Sequence, residues 1–261
     1  MELRTIADLE KVQDVTPFHR NLLGVVEDLK EFLRWKNANQ DWKFQFGIEI
    51  GGHRASNVFH PSSAGKACDL AVQLERTGAE QTAEDWDSVI TFDTGHLWHK
   101  WVQACLTEMY GQDFQYEVRI RNDSPPVAGS ADGVITLSDL RAVIEIKTAK
   151  DGDGPKNFAA ARNGPFDEHV RQVTPYMSRL DVPLALFLYF NKNEPGIIAH
   201  VITYDERVWQ AIVDRWNKID ALIAKGQEAE HKSSFLCKWC SYRGVCKYSG
   251  DKSNATKVRR I

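Results

Sequence analysis

Residues 127–148 read VAGSADGVITLSDLRAVIEIKT, and this stretch decides the fold. Apolar residues dominate both of its halves, and the Ser138-Asp139 pair between them is typical of a turn. The pattern predicts two antiparallel strands that are joined as a hairpin. A hairpin centred on this turn would set Asp132 directly across from Glu145.

Further elements are predicted on either side of this hairpin. The predicted strands are 114–121, 127–137, 142–148, 184–191 and 197–204. The predicted helices are 16–35, 61–78, 84–110, 166–180 and 206–224. We interpret 36–61 as a connection or as short strands, since it is rich in Gly, Asn and His. Helices that flank a mixed sheet place the chain in the α/β or α+β class.

Composition limits what the chain can be. It has 261 residues, of which 43% are hydrophobic and 26% are charged, and these values argue against extensive disorder. No apolar run reaches the length of a membrane span, and residues 1–10 are too charged for a secretory signal. We therefore expect a cytoplasmic protein with no membrane partner. The net charge of −3 means that any polyanionic partner would need a local basic surface.

Charged residues on the two central strands form the first candidate site. Glu145 and Lys147 are two apart, so both side chains leave the same face of the strand. Asp132 and Glu145 would repel each other across the hairpin, and a divalent cation shared by both carboxylates removes this penalty. Lys147 could then orient a metal-activated water or stabilise charge on a phosphate. The alternative is a solvated Glu-x-Lys face, but the apolar residues 142–144 indicate a buried strand, and buried charges need partners.

Short motifs accompany this pair along the chain. They are GHLWH at 95–99, GSAD at 129–132, EIK at 145–147 and QVTPY at 172–176. In this order they resemble the GxxxH, GxxD, ExK and QxxxY motifs of RecB-like nucleases. That group belongs to the PD-(D/E)XK superfamily and includes CRISPR-associated and phage exonucleases. The resemblance covers roughly residues 62–248 and implies a restriction-endonuclease-like mixed sheet that is flanked by helices.

The resemblance implies a function and assigns a role to each motif residue. The expected activity is hydrolysis of phosphodiester bonds in DNA, as an exonuclease on single-stranded or frayed ends. The implied ligands of Mg²⁺ or Mn²⁺ are His99, Asp132, Glu145 and the backbone carbonyl of Ile146. Lys147 would serve the attacking water, and Gln172 and Tyr176 would position the nucleic-acid backbone. An imidazole beside carboxylates favours Mn²⁺, with Mg²⁺ as the alternative.

Some of these assignments have a structural alternative. His96 lies one helical turn before His99 and could compete for the ligand role, but we interpret it as a polar residue on an amphipathic helix. Tyr176 could be a core aromatic residue whose hydroxyl is satisfied. Gln172 and Tyr176 are four apart, and they share a helix face only if the helix continues through Pro175.

The cysteines form a second candidate site. Cys237, Cys240 and Cys246 make a C-x2-C-x5-C pattern, and Cys68 on the early helix is the candidate for a fourth ligand. Such thiols in a cytosolic protein usually bind metal, and the spacing leaves zinc and a [4Fe–4S] cluster open. The resemblance favours the [4Fe–4S] cluster, with one cysteine before the nuclease core and three after it. We interpret Cys105, which lies mid-helix among apolar residues, as a small buried hydrophobe.

Basic residues lie around the motifs, and their charges could neutralise phosphates, although scattered basic residues are usually a solvated surface. The candidates for DNA binding are Arg119, Arg121, Lys150 and Arg171. The predicted organisation is an N-terminal helical segment over 1–61, a nuclease domain over 62–250 and a basic tail over 251–261. The N-terminal segment could serve as a surface for a protein partner.

Two rival interpretations remain for the whole chain. One is a non-catalytic DNA-binding module that keeps the nuclease core as a scaffold. Against it stand the intact Asp132, Glu145 and Lys147. The other is an interaction module that is stapled by zinc, in which the match at 145–147 is chance.

Overall fold

The computed structural model describes residues 2–39, 57–82 and 86–249. The helices are α1 (Thr16–Ala38), α2 (Pro61–Ala64), α3 (Asp69–Arg76), α4 (Trp86–Tyr110), α5 (Asp167–Leu180) and α6 (Glu206–Ala224). The strands are β1 (Phe114–Asp123), β2 (Pro126–Leu137), β3 (Leu140–Ala149), β4 (Leu184–Asn191) and β5 (Ile197–Thr203). Short 3₁₀ helices occupy Ile6–Lys11, Gly111–Asp113, Ala160–Asn163 and Phe235–Trp239.

All of these strands belong to one mixed sheet, in the order β1-β2-β3-β4-β5. The pairs β1–β2, β2–β3 and β4–β5 are antiparallel, and β3 and β4 are parallel. The link between the parallel strands contains α5, because parallel neighbours need a long crossover. The predicted α/β architecture, a mixed sheet flanked by helices, is therefore confirmed.

Helices cover both faces of this sheet. One hydrophobic cluster joins α1 and α4 to Ile144 and Leu186. The other joins α5 and α6 to Val143 and Phe187. Successive residues of β3 and β4 thus pack into opposite clusters, as expected of strands that are buried on both faces. Within the described ranges, no helix combines the length and the apolar character that crossing a membrane requires.

The predicted continuous helix over 61–78 is wrong. The segment 65–68 divides it into α2 and α3, and Gly65 packs so closely on α5 that a Cβ there would overlap the carbonyl oxygen of Glu168. Cys68 therefore stands at the N-cap of α3 and not within a helix. The helix α1 continues to Ala38, beyond its predicted end, and residues 40–56 of the predicted connection lie outside the described residues.

Candidate active site

The hairpin of β2 and β3 places the first carboxylate. Its register is the one that the Ser138-Asp139 turn predicts, and its last pair before the site is Gly133 with Ile144. The next two residues, Asp132 and Glu145, do not continue the ladder of backbone pairs. Here the Asp132 carboxylate takes the place of a backbone acceptor. Its Oδ2 accepts the backbone N–H of Ile146 at 2.7 Å. The side chain of Asp132 is thus held by the strand that carries the second carboxylate.

A local distortion of β1 explains this departure from simple pairing. The β1–β2 pairing skips Glu117 and Asp132 but keeps the same register on both sides of them, and the φ of Glu117, 51°, lies in the left-handed region. In a regular strand, residues an even number of positions apart lie on the same face of the sheet. Here Phe114 and Ile135 belong to one cluster, whereas Ile120 and Val127, an even number of positions away on the same strands, belong to the other. Both strands therefore turn over at Glu117 and Asp132, and backbone held in such a sparsely populated conformation clusters near functional sites.

His99 approaches the same carboxylate from α4. Its Nδ1 lies 3.1 Å from Oδ1 of Asp132, and Nδ1 donates the hydrogen bond because a carboxylate can only accept. The competing candidate, His96, is exposed on the same helix. The structure therefore brings His99, and not His96, to the hairpin.

Glu145, Lys147 and Gln172 form the other half of the site. Glu145 is buried, with a relative exposure of 1%. Its Oε1 pairs with Nζ of Lys147 at 2.5 Å and accepts from Nε2 of Gln172 at 2.8 Å. The Gln172 Oε1 in turn accepts from Nζ of Lys147 at 3.2 Å. The amide on α5 thus bridges the acid and the lysine on β3, a contact that the sequence did not predict.

The electrostatics of the cluster separate the two carboxyl groups. Burial raises the pKa of Glu145, the charge of Asp132 adds to this, and Lys147 does not fully offset it. Burial also acts to raise the pKa of Asp132, but the charges of His99 and Lys147 hold it below its usual value. Burial acts to lower the pKa values of His99 and Lys147, yet the carboxylates raise both. Asp132 is therefore the firmly ionised acid, and Glu145 is the acid that takes up a proton more readily.

Residues further along α4 and β1 support Asp132 and were missed by sequence reasoning. Gln103 donates to the backbone carbonyl of Asp132 at 2.8 Å and to Glu117 at 3.2 Å. Lys100 pairs with Glu117 at 3.0 Å. The available signal was the spacing of Gln103, which is four residues after His99 and so lies on the same helix face.

The motif over 172–176 lies on α5, which continues through Pro175 as required. Gln172 and Tyr176 therefore share a helix face. The ring of Tyr176 belongs to the core, as the structural alternative has it, with a relative exposure of 5%. Its hydroxyl lies beside Gly129, where an added Cβ would be 3.1 Å from the oxygen. Tyr176 thus connects α5 to the motif that carries Asp132.

The donor atoms suit a divalent cation, although they are not arranged around one. Over the described residues, no three His, Cys, Asp or Glu side chains are placed as a metal site. At this cluster the candidate ligands bond to protein groups, Asp132 to His99, and Glu145 to Lys147 and Gln172. A buried and a half-buried carboxylate that repel each other beside an imidazole are nevertheless the donor set that Mg²⁺ or Mn²⁺ takes.

The four cysteines of the second candidate site line a single cavity of about 460 Å³, between the α2–α3 segment and the C-terminal segment. Cys68, Cys237, Cys240 and Cys246 are free thiols of intermediate burial. Burial raises the pKa of Cys240, and the nearby Cys246 and Cys68 raise it further. All four thiols line this cavity, but over the described residues no three of them are placed as a metal site, so the metal cluster stays a prediction. Cys105 is completely buried, and burial raises its pKa to about 12, so its prediction as a small buried hydrophobe is confirmed.

Hydrogen bonds already join the two segments that carry these cysteines. Leu70 N–H donates to the carbonyl of Glu230 at 3.0 Å, and Thr82 N–H donates to that of Ser241 at 2.7 Å. The Gln73 side chain is buried and bonds to the backbone on both sides of Glu228. The packing of the early segment on the C-terminal segment, which a shared cluster would need, is therefore present.

The predicted DNA-binding residues Arg119, Arg121, Lys150 and Arg171 are all exposed. Arg119 and Arg121 are two apart on β1 and leave the same face of the strand. Their role remains a prediction, because exposure is what any surface cation would show.

Comparison with known proteins gives a likeness in fold. No family model and no curated protein match the sequence. The crystal structure of SSO0001 matches with a TM-score of 0.51 at 17% identity, and the match covers 85% of this chain and 96% of that one. An alkaline exonuclease from Laribacter hongkongensis has a TM-score of 0.48 at 14% identity, covering 65% of this chain and 89% of that one. A phage-related exonuclease from Haemophilus somnus has a TM-score of 0.39 at 15% identity, covering 64% and 83%.

Proposed function

We propose that this protein is a metal-dependent DNA nuclease of the PD-(D/E)XK superfamily. The observation that carries the proposal is the meeting of Asp132, Lys147 and His99, all half-buried, with the buried Glu145 in one cluster. Two acids with opposed pKa shifts and a half-buried lysine are costly to stability, and such groups collect at sites of chemistry. The motif order that resembles RecB-like nucleases supports the same assignment.

His99, Asp132, Glu145 and the carbonyl of Ile146 would hold Mg²⁺ or Mn²⁺. When bound, the cation would act as a Lewis acid and lower the pKa of a water molecule. The protein's own contribution is to fix the donors: Ile146 N–H and Gln103 hold Asp132 in place before any ligand arrives. Donors that are held in this way cost little reorganisation during the reaction.

Lys147 and Gln172 would act on the substrate side of the cluster. Lys147 stays charged because both acids raise its pKa. Its ammonium group is thus available to orient a water molecule and to stabilise charge that develops on a phosphate. Gln172 holds Lys147 and Glu145 at a fixed distance, so it would position both groups. Tyr176 would support this arrangement from the core through its contact with the segment around Gly129.

We assign a [4Fe–4S] cluster to Cys68, Cys237, Cys240 and Cys246, with zinc as the alternative. The placement of all four thiols on one cavity supports metal binding there. The cluster would staple the α2–α3 segment to the C-terminal segment and would take no part in hydrolysis.

The proposed substrate is the end of a single-stranded or frayed DNA. Hydrolysis would leave a 5′-phosphate and a 3′-hydroxyl, and exposed arginines and lysines around the motifs would contact the backbone.

The test is cleavage of end-labelled single-stranded, double-stranded and covalently closed circular DNA by the purified protein with Mn²⁺, Mg²⁺ or EDTA. We expect cleavage of the linear substrates with either cation and none with EDTA. Glu145→Gln is the matched control, because it keeps the shape and removes the charge. Cleavage that survives EDTA, or that is equal in wild type and Glu145→Gln, would exclude the proposed site. Cleavage of closed circles would exclude a purely exonucleolytic action.

A further inference from the structure

The N-terminal half of α4 carries an exposed aromatic side chain, Phe92, whose ring is 56% exposed. Phe92 lies seven residues before His99. Seven residues are almost two full turns, so both side chains leave the same face of the helix, about 10 Å apart along its axis. His99 contacts Asp132 from this face. The ring of Phe92 therefore lies on the side of α4 that is turned towards the candidate active site.

Contacts with the sheet place this half of α4 over the ends of β3 and β4. A Cβ on Gly95 would lie 3.8 Å from Oγ1 of Thr148, which follows Lys147 on β3. One turn earlier on the helix, the carbonyl of Thr91 accepts from Nζ of Lys192 at 3.3 Å. The helix thus crosses the carboxyl ends of the two strands, beside the strand that carries the lysine of the site.

Two lysines are held next to each other at these strand ends. Lys150 follows β3 and Lys192 follows β4, and the two strands are parallel neighbours. The backbone N–H of Lys192 donates to the carbonyl of Ala149 at 2.8 Å. The Asp151 carboxylate accepts from Nδ2 of the buried Asn191 at 3.1 Å, which ties the segment after β3 to β4. These bonds fix the backbones of the two lysines side by side.

The charges of the two lysines favour an anionic ligand. Lys150 is exposed and Lys192 is half-buried. Burial, and then the charge of Lys150, lower the pKa of Lys192, and no carboxylate offsets them. An anion bound between the two ammonium groups would offset this repulsion. Because Lys192 contacts Thr91, the residue before Phe92, these positive charges lie beside the exposed ring.

We propose that Phe92, Lys150 and Lys192 bind the single-stranded end of the DNA, with a base stacked on Phe92 and a backbone phosphate on the two lysines. The proposal rests on the proposed nuclease function and names the surface that leads the strand to the site. Basic grooves with aromatic rings bind single strands, since every base has a face on which a ring can stack. Lysines on a phosphate carry no sequence information, so this surface should bind DNA ends with little base preference.

The first experiment measures binding of a fluorescent single-stranded oligonucleotide by anisotropy in EDTA, over a series of salt concentrations. Phe92→Ala should weaken binding by about 5-fold or more, the scale of one lost base stack, and should leave the salt dependence unchanged. Ile90→Ala is the matched control, because Ile90 is 57% exposed on the same helix but leaves its nearly opposite face. It should bind like the wild type.

The lysines are tested by the salt dependence itself. The double variant Lys150→Gln/Lys192→Gln should bind more weakly, because it no longer displaces counterions from a phosphate. The slope of log affinity against log salt concentration should become shallower by about 0.7, the value for one phosphate of a single strand. A merely structural effect on α4 would lower the affinity without changing the slope. Lys192→Arg should keep the slope, and so should Lys218→Gln, which removes an exposed lysine of α6.

Oligonucleotides that lack one base separate stacking from a general apolar contact. The abasic position is moved along the last few nucleotides of each end, and the wild type and Phe92→Ala are compared on every strand. The effect of Phe92→Ala should disappear where the missing base is the one that stacks on the ring. Equal binding by the two proteins on the intact strand, an equal loss at every abasic position, or an unchanged salt slope in the double lysine variant would overturn the proposal.

Failure of the nuclease proposal gives a different result. The wild type would then cleave no DNA with either cation, while the binding comparison in EDTA still decides the roles of Phe92 and the lysines. A wild type that binds no oligonucleotide overturns the inference directly.

Discussion

Gly129 is the position where a single methyl group should do most damage to the site. Its backbone φ is not in the left-handed region, so conformational strain is not the issue. A Cβ at this residue would lie 2.7 Å from Cδ of Pro61 and 3.1 Å from the hydroxyl oxygen of Tyr176. An ordinary contact between carbon atoms is about 3.5–4.0 Å, so the rigid ring of Pro61 or the strand itself must shift by close to an ångström.

The size of the effect follows from this overlap. Insertion of a methyl group into a packed interior costs about 1–3 kcal/mol, which lowers the melting temperature of a chain of this size by about 2–4 °C for each kcal/mol. Gly129→Ala should also displace Tyr176 and, through the strand, Asp132. We therefore expect a lower rate of DNA cleavage together with the lower stability.

Gly24→Ala is the matched control. Gly24 lies inside α1, where no atom would come within 4 Å of an added Cβ. Alanine should stabilise this helix by about 0.5–1 kcal/mol. Urea unfolding, followed by circular dichroism in EDTA, measures both variants, and the m-values should match the wild type. A Gly129→Ala protein as stable as the wild type would refute the close packing of Pro61, Gly129 and Tyr176.

Three further predictions concern the charged cluster and the cysteines. The folded-state pKa of Glu145 is raised, so its contribution to stability is fully present below the unfolded pKa of about 4.5 and is lost as pH rises through the folded pKa. We expect the free energy of unfolding of the wild type, measured in EDTA, to fall relative to that of Glu145→Gln as pH rises through this range. Lys147→Ala should lower kcat by about 10²-fold or more while Mn²⁺ affinity, measured by calorimetry, changes little; a lost metal site with normal residual chemistry would contradict the role of Lys147. Cys68→Ser should lose its bound metal, which is iron and sulfide with their brown colour for a [4Fe–4S] cluster, or colourless zinc for the alternative. Cys105→Ser should keep its metal. Full metal content in Cys68→Ser would show that the fourth ligand is another residue.

Local rules predicted the strands and the central register, because a short turn and alternating burial determine them. The β2–β3 register, the helical course of α5 through Pro175 and the burial of Cys105 all follow from nearby sequence. The break of the helix at 65–68 does not, and at this break Gly65 packs against Glu168, on a helix about a hundred residues away in the chain.

The sequence identified the acidic residues Asp132 and Glu145, but it did not predict the hydrogen bonds and the backbone conformation around them. Nothing in the sequence indicated that Glu117 adopts a left-handed φ, or that the Asp132 carboxylate accepts the backbone N–H of Ile146. Non-glycine residues adopt this conformation only where the surrounding structure imposes it. Gln103 could have been suspected from its helical spacing to His99, but its partners lie on other elements.

The order of strands in the sheet bears on the sequence of events during folding. Strands β1, β2 and β3 pair with their neighbours in the chain, so they close small loops at low entropic cost. Asp132 and Glu145 come from this meander, whereas Gln172 arrives only when the crossover through α5 docks. A chain that folds in this order brings its two acids together while water still surrounds them, where like charges about 4 Å apart repel by only about 1 kcal/mol. The two acids repel each other much more strongly once they are buried. In this order they are buried only when α5 docks and brings Gln172 to Glu145.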